Sequence, residues 1–144
     1  MDEQKLVIRR VFNATREELF AAWTDPVGME TWMCPGPDIT TKVVEMDLRI
    51  GGALCLDMES PHGISRHTGT FCEISPPTRL AFTWRSTATN HRDTLVTIEL
   101  YEQSRGTELV LTHSDLPNQA TMAAYRGGWE NVLKELAVVI RTIV

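Results

Sequence analysis

Residues 79–86 read RLAFTWRS, and the alternation inside them decides the fold. Leu80, Phe82 and Trp84 fall on one side of an extended chain, Arg79, Thr83 and Arg85 on the other. That is the signature of a half-buried strand in an antiparallel sheet. Working outward, turn signals recur about every ten residues and divide the middle of the chain into six such runs: 40–47, 53–59, 66–74, 79–86, 93–101 and 107–113. The punctuation is Arg49-Ile50-Gly51-Gly52, Ser60-Pro61-His62-Gly63, Ser75-Pro76-Pro77, the polar stretch Thr87 to Arg92, and Gln103-Ser104-Arg105-Gly106. Leu54, Leu56 and Met58 share a face, as do Val96, Ile98 and Leu100, then Leu109 and Leu111. The opposite face, with Asp57, Arg79, Thr83, Arg85, Thr97, Glu99, Glu108 and Thr112, is expected to meet water, although Val110 breaks the alternation.

The flanks are helical. Residues 5–12 form a further strand, and Thr15-Arg16-Glu17-Glu18 then has the form of a capping box opening a short helix with Leu19, Phe20 and Trp23. Asp25-Pro26 supplies an N-cap and a first-turn proline for a second short helix through Trp32, and Cys34-Pro35-Gly36-Pro37 stops it. After Leu116-Pro117-Asn118 the period becomes helical to the end of the chain, through Tyr125, Trp129, Val132, Leu133, Leu136 and Ile140. Gly127-Gly128 inside this helix costs about 1 kcal/mol per glycine relative to alanine, so close approach of a neighbour or room for a ligand has to offset it. Strand, two helices, six strands and a long helix make an α+β chain, read as one domain over 1–144.

Composition narrows the function classes. With 14 Lys+Arg against 19 Asp+Glu the net charge is −5, and no basic run appears, which disfavours nucleic acid as a partner. The longest apolar stretch, from Leu136, is interrupted by Arg141 and falls far short of the roughly 20 residues of a membrane span. The N-terminal residues have acidic side chains where a signal peptide needs positive charge, so a cytoplasmic location is expected. Cys34, Cys55 and Cys72 are odd in number and are read as reduced, partly buried thiols. His62, His67, Cys55 and Cys72 lack any CxxC or HxxxH spacing, and His62 and His67 fall on opposite faces of a continued strand, so no metal site is expected. No nucleophile elbow, P-loop or dinucleotide fingerprint occurs, and no cofactor is expected.

The order of several short words resembles a known family. Val11-Phe12-Asn13-Ala14-Thr15, Trp23-Thr24-Asp25-Pro26, Trp32, Asp47-Leu48-Arg49-Ile50-Gly51-Gly52, Gly69-Thr70-Phe71, Ile74-Ser75-Pro76-Pro77-Thr78-Arg79-Leu80, Phe82-Thr83-Trp84, Gly106-Thr107-Glu108-Leu109, Leu111-Thr112-His113, Leu116-Pro117 and Gly127-Gly128-Trp129 are similar to the START-like, helix-grip superfamily. Within it they resemble the branch of the C-terminal domain of the activator of Hsp90 ATPase. The resemblance implies a curved sheet of about seven strands wrapped on the C-terminal helix with a hydrophobic cavity between them. Its members bind lipids, hormones or polyketides, or assist a chaperone, and a few relatives are enzymes. This chain departs from the pattern at Trp32-Met33-Cys34-Pro35, where the family often has two tryptophans before Gly-Pro, and at Ile50, where it usually has proline. Those positions fall near the mouth of the implied cavity.

The candidate ligand-binding residues are Trp32, Leu54, Leu56, Met58, Phe71, Phe82, Trp84, Ile98, Leu111, His113, Met122, Tyr125 and Trp129. Each aromatic is equally a core residue by type, and Met58 and Met122 suit either an adaptable wall or simple gap-filling. His113 shares the inward parity of Leu109 and Leu111 and sits beside Ser114 and Asp115, which fits a general base or a satisfied strand-end histidine. Glu73 shares parity with Phe71, which directs it inward unless a bulge reverses it, and Arg85 belongs to the solvated face. The leading expectation is non-catalytic binding of a small hydrophobic or amphipathic molecule. The alternatives are a protein-interaction role resembling the chaperone activator, against which the chain lacks that activator's separate N-terminal domain, and a cyclase or hydrolase using His113, Glu73 or Tyr125. Partners are therefore a small ligand or a chaperone, with the chain itself a monomer or homodimer.

Overall fold

Seven antiparallel strands lie in the order β1-β7-β6-β5-β4-β3-β2 in the computed structural model, which describes residues 5–142. They are β1 (Leu6–Phe12), β2 (Thr40–Met46), β3 (Ala53–Ser60), β4 (Gly63–Ser75), β5 (Arg79–Trp84), β6 (Thr94–Gln103) and β7 (Gly106–Ser114). The helices are α1 (Arg16–Trp23), α2 (Pro26–Trp32) and α3 (Gln119–Thr142). The first two strands in sequence thus occupy the two edges, and α1 and α2 bridge the distance between them. This is the helix-grip architecture.

Local chemistry fixes the helix ends. Thr15 Oγ1 accepts the Glu18 amide at 3.0 Å and Glu18 Oε1 accepts the Thr15 amide at 2.8 Å, closing the capping box. Asp25 Oδ1 accepts the Val27 amide at 3.2 Å with Pro26 at the first helical position. Asn118 opens α3 in the same manner, its Oδ1 accepting the Thr121 amide at 2.8 Å.

Rows of inward side chains cross the sheet. Leu6, His113, Val96, Phe82 and Phe71 stand opposite one another from β1 to β4, and Ile8, Leu111, Ile98, Leu80 and Ile74 form the next row. Trp129, Val132, Leu133 and Leu136 of α3 close over them, with Trp23, Met29 and Trp32 of the short helices filling the adjoining space. Burying such side chains is worth roughly 1.5–3 kcal/mol each, which makes this two-layer contact the main source of stability.

The structure departs from the sequence reading in four places. Strand β4 begins at Gly63, three residues before the expected 66, because hairpin pairing with β3 runs out to Ser60↔Gly63. His62 therefore lies in the hairpin turn and not on a strand. Residues 87–89, read as an irregular polar stretch, form a 3-10 turn capped by Ser86, whose Oγ accepts the Ala88 amide at 3.1 Å. Thr97, expected to meet water, is buried, as are Ala81 and Val110 on the same face, because the central strands β5, β6 and β7 are flanked on both sides. Cys34 and Cys55 are part-buried as expected, but Cys72 is exposed, since it follows inward-facing Phe71 on β4 and points to the outer face.

Candidate functional site

The bulge at Phe71/Glu73 decides what faces the interior. It sends the Glu73 carboxylate to the outer surface, where Oε1 accepts from Arg79 Nε at 2.8 Å, and Arg79 Nη1 reaches Glu99 at 2.6 Å. Inward, His67 and Phe71 line up along β4, with Gly69 between them, facing Trp84 and Phe82 of β5.

A cavity of about 40 Å³ opens between sheet and α3, lined by Met33, Pro35, Met58, His67, Trp84, Tyr125, Gly128, Trp129 and Val132. Trp84 and Trp129 meet at its base with ring centroids 5.4 Å apart, and the His67 ring packs on Trp84 at 5.1 Å. The segment after α2 forms the remaining wall. It is tied down at its start by two neighbouring carbonyls: Asn131 Nδ2 donates to the Cys34 carbonyl at 2.7 Å, and the Thr41 hydroxyl donates to the Met33 carbonyl. Gly128 permits this approach, since a Cβ there would stand 3.3 Å from Pro35 Cβ. The glycine pair is thus explained for one member only, as Gly127 faces open space.

Beside the cavity runs a buried polar chain. Trp129 Nε1 donates to His113 Nδ1 at 3.0 Å, which places the imidazole proton on Nε2. Nε2 then donates to Thr94 Oγ1 at 2.7 Å, and the Thr94 hydroxyl donates to the Trp84 carbonyl at 2.6 Å. Burial pushes the His113 pKa down to about 3, so the ring is neutral. With both nitrogens engaged and no exposure, His113 is placed to hold Trp129 and not to take a proton from a substrate. Tyr125 Oη accepts from Trp84 Nε1 at 3.2 Å and lies 2.9 Å from Ser86 Oγ, and burial raises its pKa above the ordinary phenol value. Both tryptophan indoles at the base of the cavity are therefore locked in orientation.

Of the candidate ligand-binding residues, Met58, Trp84, Tyr125 and Trp129 line this cavity together. Leu54, Leu56, Phe71, Phe82, Ile98 and Leu111 are enclosed in the core around it. Trp32 packs edge-on against Trp23 at 4.8 Å, behind the mouth, and His113 sits one layer deeper. Met122 is half-buried against the edge of the core, outside the cavity, and also borders a shallow surface depression beside Gln119 and Arg126. Met33 and Pro35, which the family resemblance put near the cavity mouth, are wall residues, and Val132 and His67 join them without having been named as candidates. For His67 the signal was present, because it shares the parity of Phe71 on β4. Ile50, a departure from the family pattern, is exposed in the β2–β3 turn and is not part of the wall. Among the described residues no three His, Cys, Asp or Glu side chains converge as a metal site would require.

Sheet, gripping helix and an apolar cavity between them define a START-like helix-grip protein. Residues 13–141 match the family described as Activator of Hsp90 ATPase homolog 1-like protein, and the chain belongs to it. Among solved structures, a Chromobacterium violaceum protein is 27% identical with a TM-score of 0.87, covering 94% of this chain and 96% of that one. A Rhodobacter sphaeroides protein is 26% identical with a TM-score of 0.85, covering 97% and 94%. An AHSA1 protein from Silicibacter pomeroyi, at 23% identity and TM-score 0.81 over 97% and 99% of the two chains, shares the fold. No curated protein matches the chain. No helix among the described residues is long and apolar enough to cross a membrane.

Proposed function

We propose that this protein binds a small hydrophobic or amphipathic molecule between the sheet and α3 and does not transform it. The observation that carries this reading is the cavity floored by Trp84 and Trp129 and flanked by Met33 and Met58, an apolar site with adaptable walls. At about 40 Å³ the cavity takes a water molecule or two, against the 300–1,000 Å³ typical of ligand pockets. Binding therefore requires the segment from Met33 to Pro35 to give way and the two methionines to change rotamer. At the segment's backbone that motion is opposed by the side-chain bonds from Asn131 and Thr41 and by the bonds of the Met33 and Cys34 amides to the Met29 and Trp32 carbonyls. The test is to extract purified protein with organic solvent for bound molecules, and to titrate it with fatty acids, flavonoids and aromatic hydrocarbons while following the indole N–H resonances. Shifts at Trp84 and Trp129 with saturation support the reading, and an empty extract with unmoved indoles across the whole panel sinks it.

A second reading, a chaperone-associated interaction role, is favoured by the smallness of that same cavity and by the family to which the chain belongs. Exposed Val11, Ile50 and Ile64 provide apolar contact points on the edges and hairpin tip. A pull-down combined with a chaperone ATPase assay separates the two: stimulation of ATP turnover supports interaction, and none leaves ligand binding as the better account.

A further inference from the structure

We propose that the groove between α1, α2 and the last turns of α3 is a second ligand site, one that takes small amphipathic amines, an apolar body with one ammonium group. It shares no lining residue with the central cavity, so it stands independently of what that cavity holds. The groove measures about 300 Å³, against about 40 Å³ for the cavity. It therefore reaches the lower end of the roughly 300–1,000 Å³ of ligand pockets with no segment having to give way. Its surface is mainly apolar, made by Ala21 and Ala22 of α1, Gly28 and Trp32 of α2, and Val139 and Ile140 of α3. The small residues on α1 and α2 leave the space, and the Trp32 ring, packed edge-on against Trp23 at 4.8 Å, gives it a fixed wall.

The two other lining residues are the acids Glu18 and Asp25, and no basic side chain joins them. Each carboxylate is held in place by a helix start that uses one of its oxygens: Glu18 Oε1 accepts the Thr15 amide at 2.8 Å, and Asp25 Oδ1 accepts the Val27 amide at 3.2 Å. The second oxygen of each has no partner among the described residues. Asp25 Oδ2 lies over Gly28, where an added Cβ would stand 2.7 Å from it, so glycine at this position leaves the carboxylate its place on the groove. Two positioned anionic acceptors beside an apolar surface complement an ammonium group whose chain lies along the helices. An anionic ligand would meet like charge there, and a neutral one would gain the apolar contact alone. Both acids are exposed, and the helix starts offset part of their charge, so the ammonium should improve affinity about fivefold over the apolar body by itself.

Hexylamine, protonated at neutral pH, and hexanol share one chain and differ in the charged group. Binding of each to the full chain is followed by the methyl resonances of Ala21, Ala22, Val139 and Ile140, in the native protein and in a Glu18→Gln, Asp25→Asn double variant. Glutamine and asparagine keep both capping bonds, so this variant loses the charge and little stability. The expected result is that both probes shift the groove methyls, that hexylamine binds the native protein about fivefold more tightly than hexanol, and that the double variant brings this ratio close to one. Ala21→Leu, which fills the groove from an exposed position, should weaken both probes severalfold. A ratio unchanged by the double variant overturns the selection for amines. Shifts at the Trp84 and Trp129 indoles with unmoved groove methyls overturn the second site while supporting the cavity reading. No shift at either place overturns the second site, and the cavity reading still stands or falls on its own ligand panel.

Discussion

Substituting His113 by glutamine should make the protein less sensitive to acid while making it less stable at neutral pH. The native ring has its pKa pushed down to about 3 by burial, against about 6.5 in an unfolded chain. Between those values the unfolded state binds a proton that the folded state does not, so stability falls as pH falls. Integrating the difference from pH 7 to 4.5 gives a loss of roughly 2.5 kcal/mol from this one residue. Glutamine has a carbonyl to accept from Trp129 Nε1 and an amide to donate to Thr94 Oγ1, the two bonds the imidazole makes, but it does not titrate. Its imperfect fit should cost about 1–3 kcal/mol at pH 7. Urea unfolding of both proteins at half-unit steps from pH 7 to 4.5 measures the gap between them. Carboxylates and His67 titrate in both and cancel, so the gap should close by roughly 2.5 kcal/mol and the two curves approach or cross near the acid end. A gap constant to within about 0.5 kcal/mol over that range would refute the placement of a neutral, enclosed imidazole at position 113.

Other perturbations follow from single contacts. Gly127→Ala should stabilise α3 by about 1 kcal/mol because its Cβ meets open space, whereas Gly128→Ala should gain less or lose, since its Cβ presses on Pro35 at 3.3 Å; thermal melts of the two variants side by side show the difference. Gly69→Ala places a Cβ 1.9 Å from the Thr83 carbonyl oxygen in the neighbouring strand, and should cost more than about 2 kcal/mol or abolish soluble expression. Thr15→Ala removes the capping box of α1 and should cost about 1 kcal/mol in urea denaturation, with Thr15→Ser retaining nearly all of it.

The parts of the fold that were legible are those that local chemistry specifies. Thr15-Arg16-Glu17-Glu18 and Asp25-Pro26 announce helices because their side chains satisfy amides within one turn, and the structure shows those bonds. The inward faces of β3, β5, β6 and β7 followed from period-two alternation. What depended on a partner strand was illegible. The extension of β4 to Gly63 comes from pairing with β3, and Gly-Ile-Ser-Arg-His carries no clean alternation of its own. The bulge that turns Glu73 outward is likewise a property of the pair, although the alternative it decides was visible in advance. At the site, the residues on regular elements, Met58, Trp84, Tyr125 and Trp129, were found by parity and period. Met33 and Pro35 lie in an irregular segment where neither rule applies, and only the family resemblance pointed to them, as residues near the mouth. His67 was weighed for a metal role and so overlooked as a wall residue.

The placement of β1 and β2 on opposite edges bears on how the chain reaches its native state. Leu6 pairs with His113 and Phe12 with Thr107, so the first strand finds its partner only after about a hundred residues have intervened. Neighbouring hairpins from β2 to β7 close over short loops and have no such wait. During synthesis β1 therefore has no partner strand until β7 has emerged, and its pairing closes the longest loop in the sheet, with the largest loop-closure entropy. The long-range bond from Thr107 to the Ala14 carbonyl, 2.8 Å across 93 positions, ties the start of α1 to β7 in the same step. Annealing of the first strand is thus the event that closes the grip, and sequence changes along β1 should act on folding speed as much as on final stability.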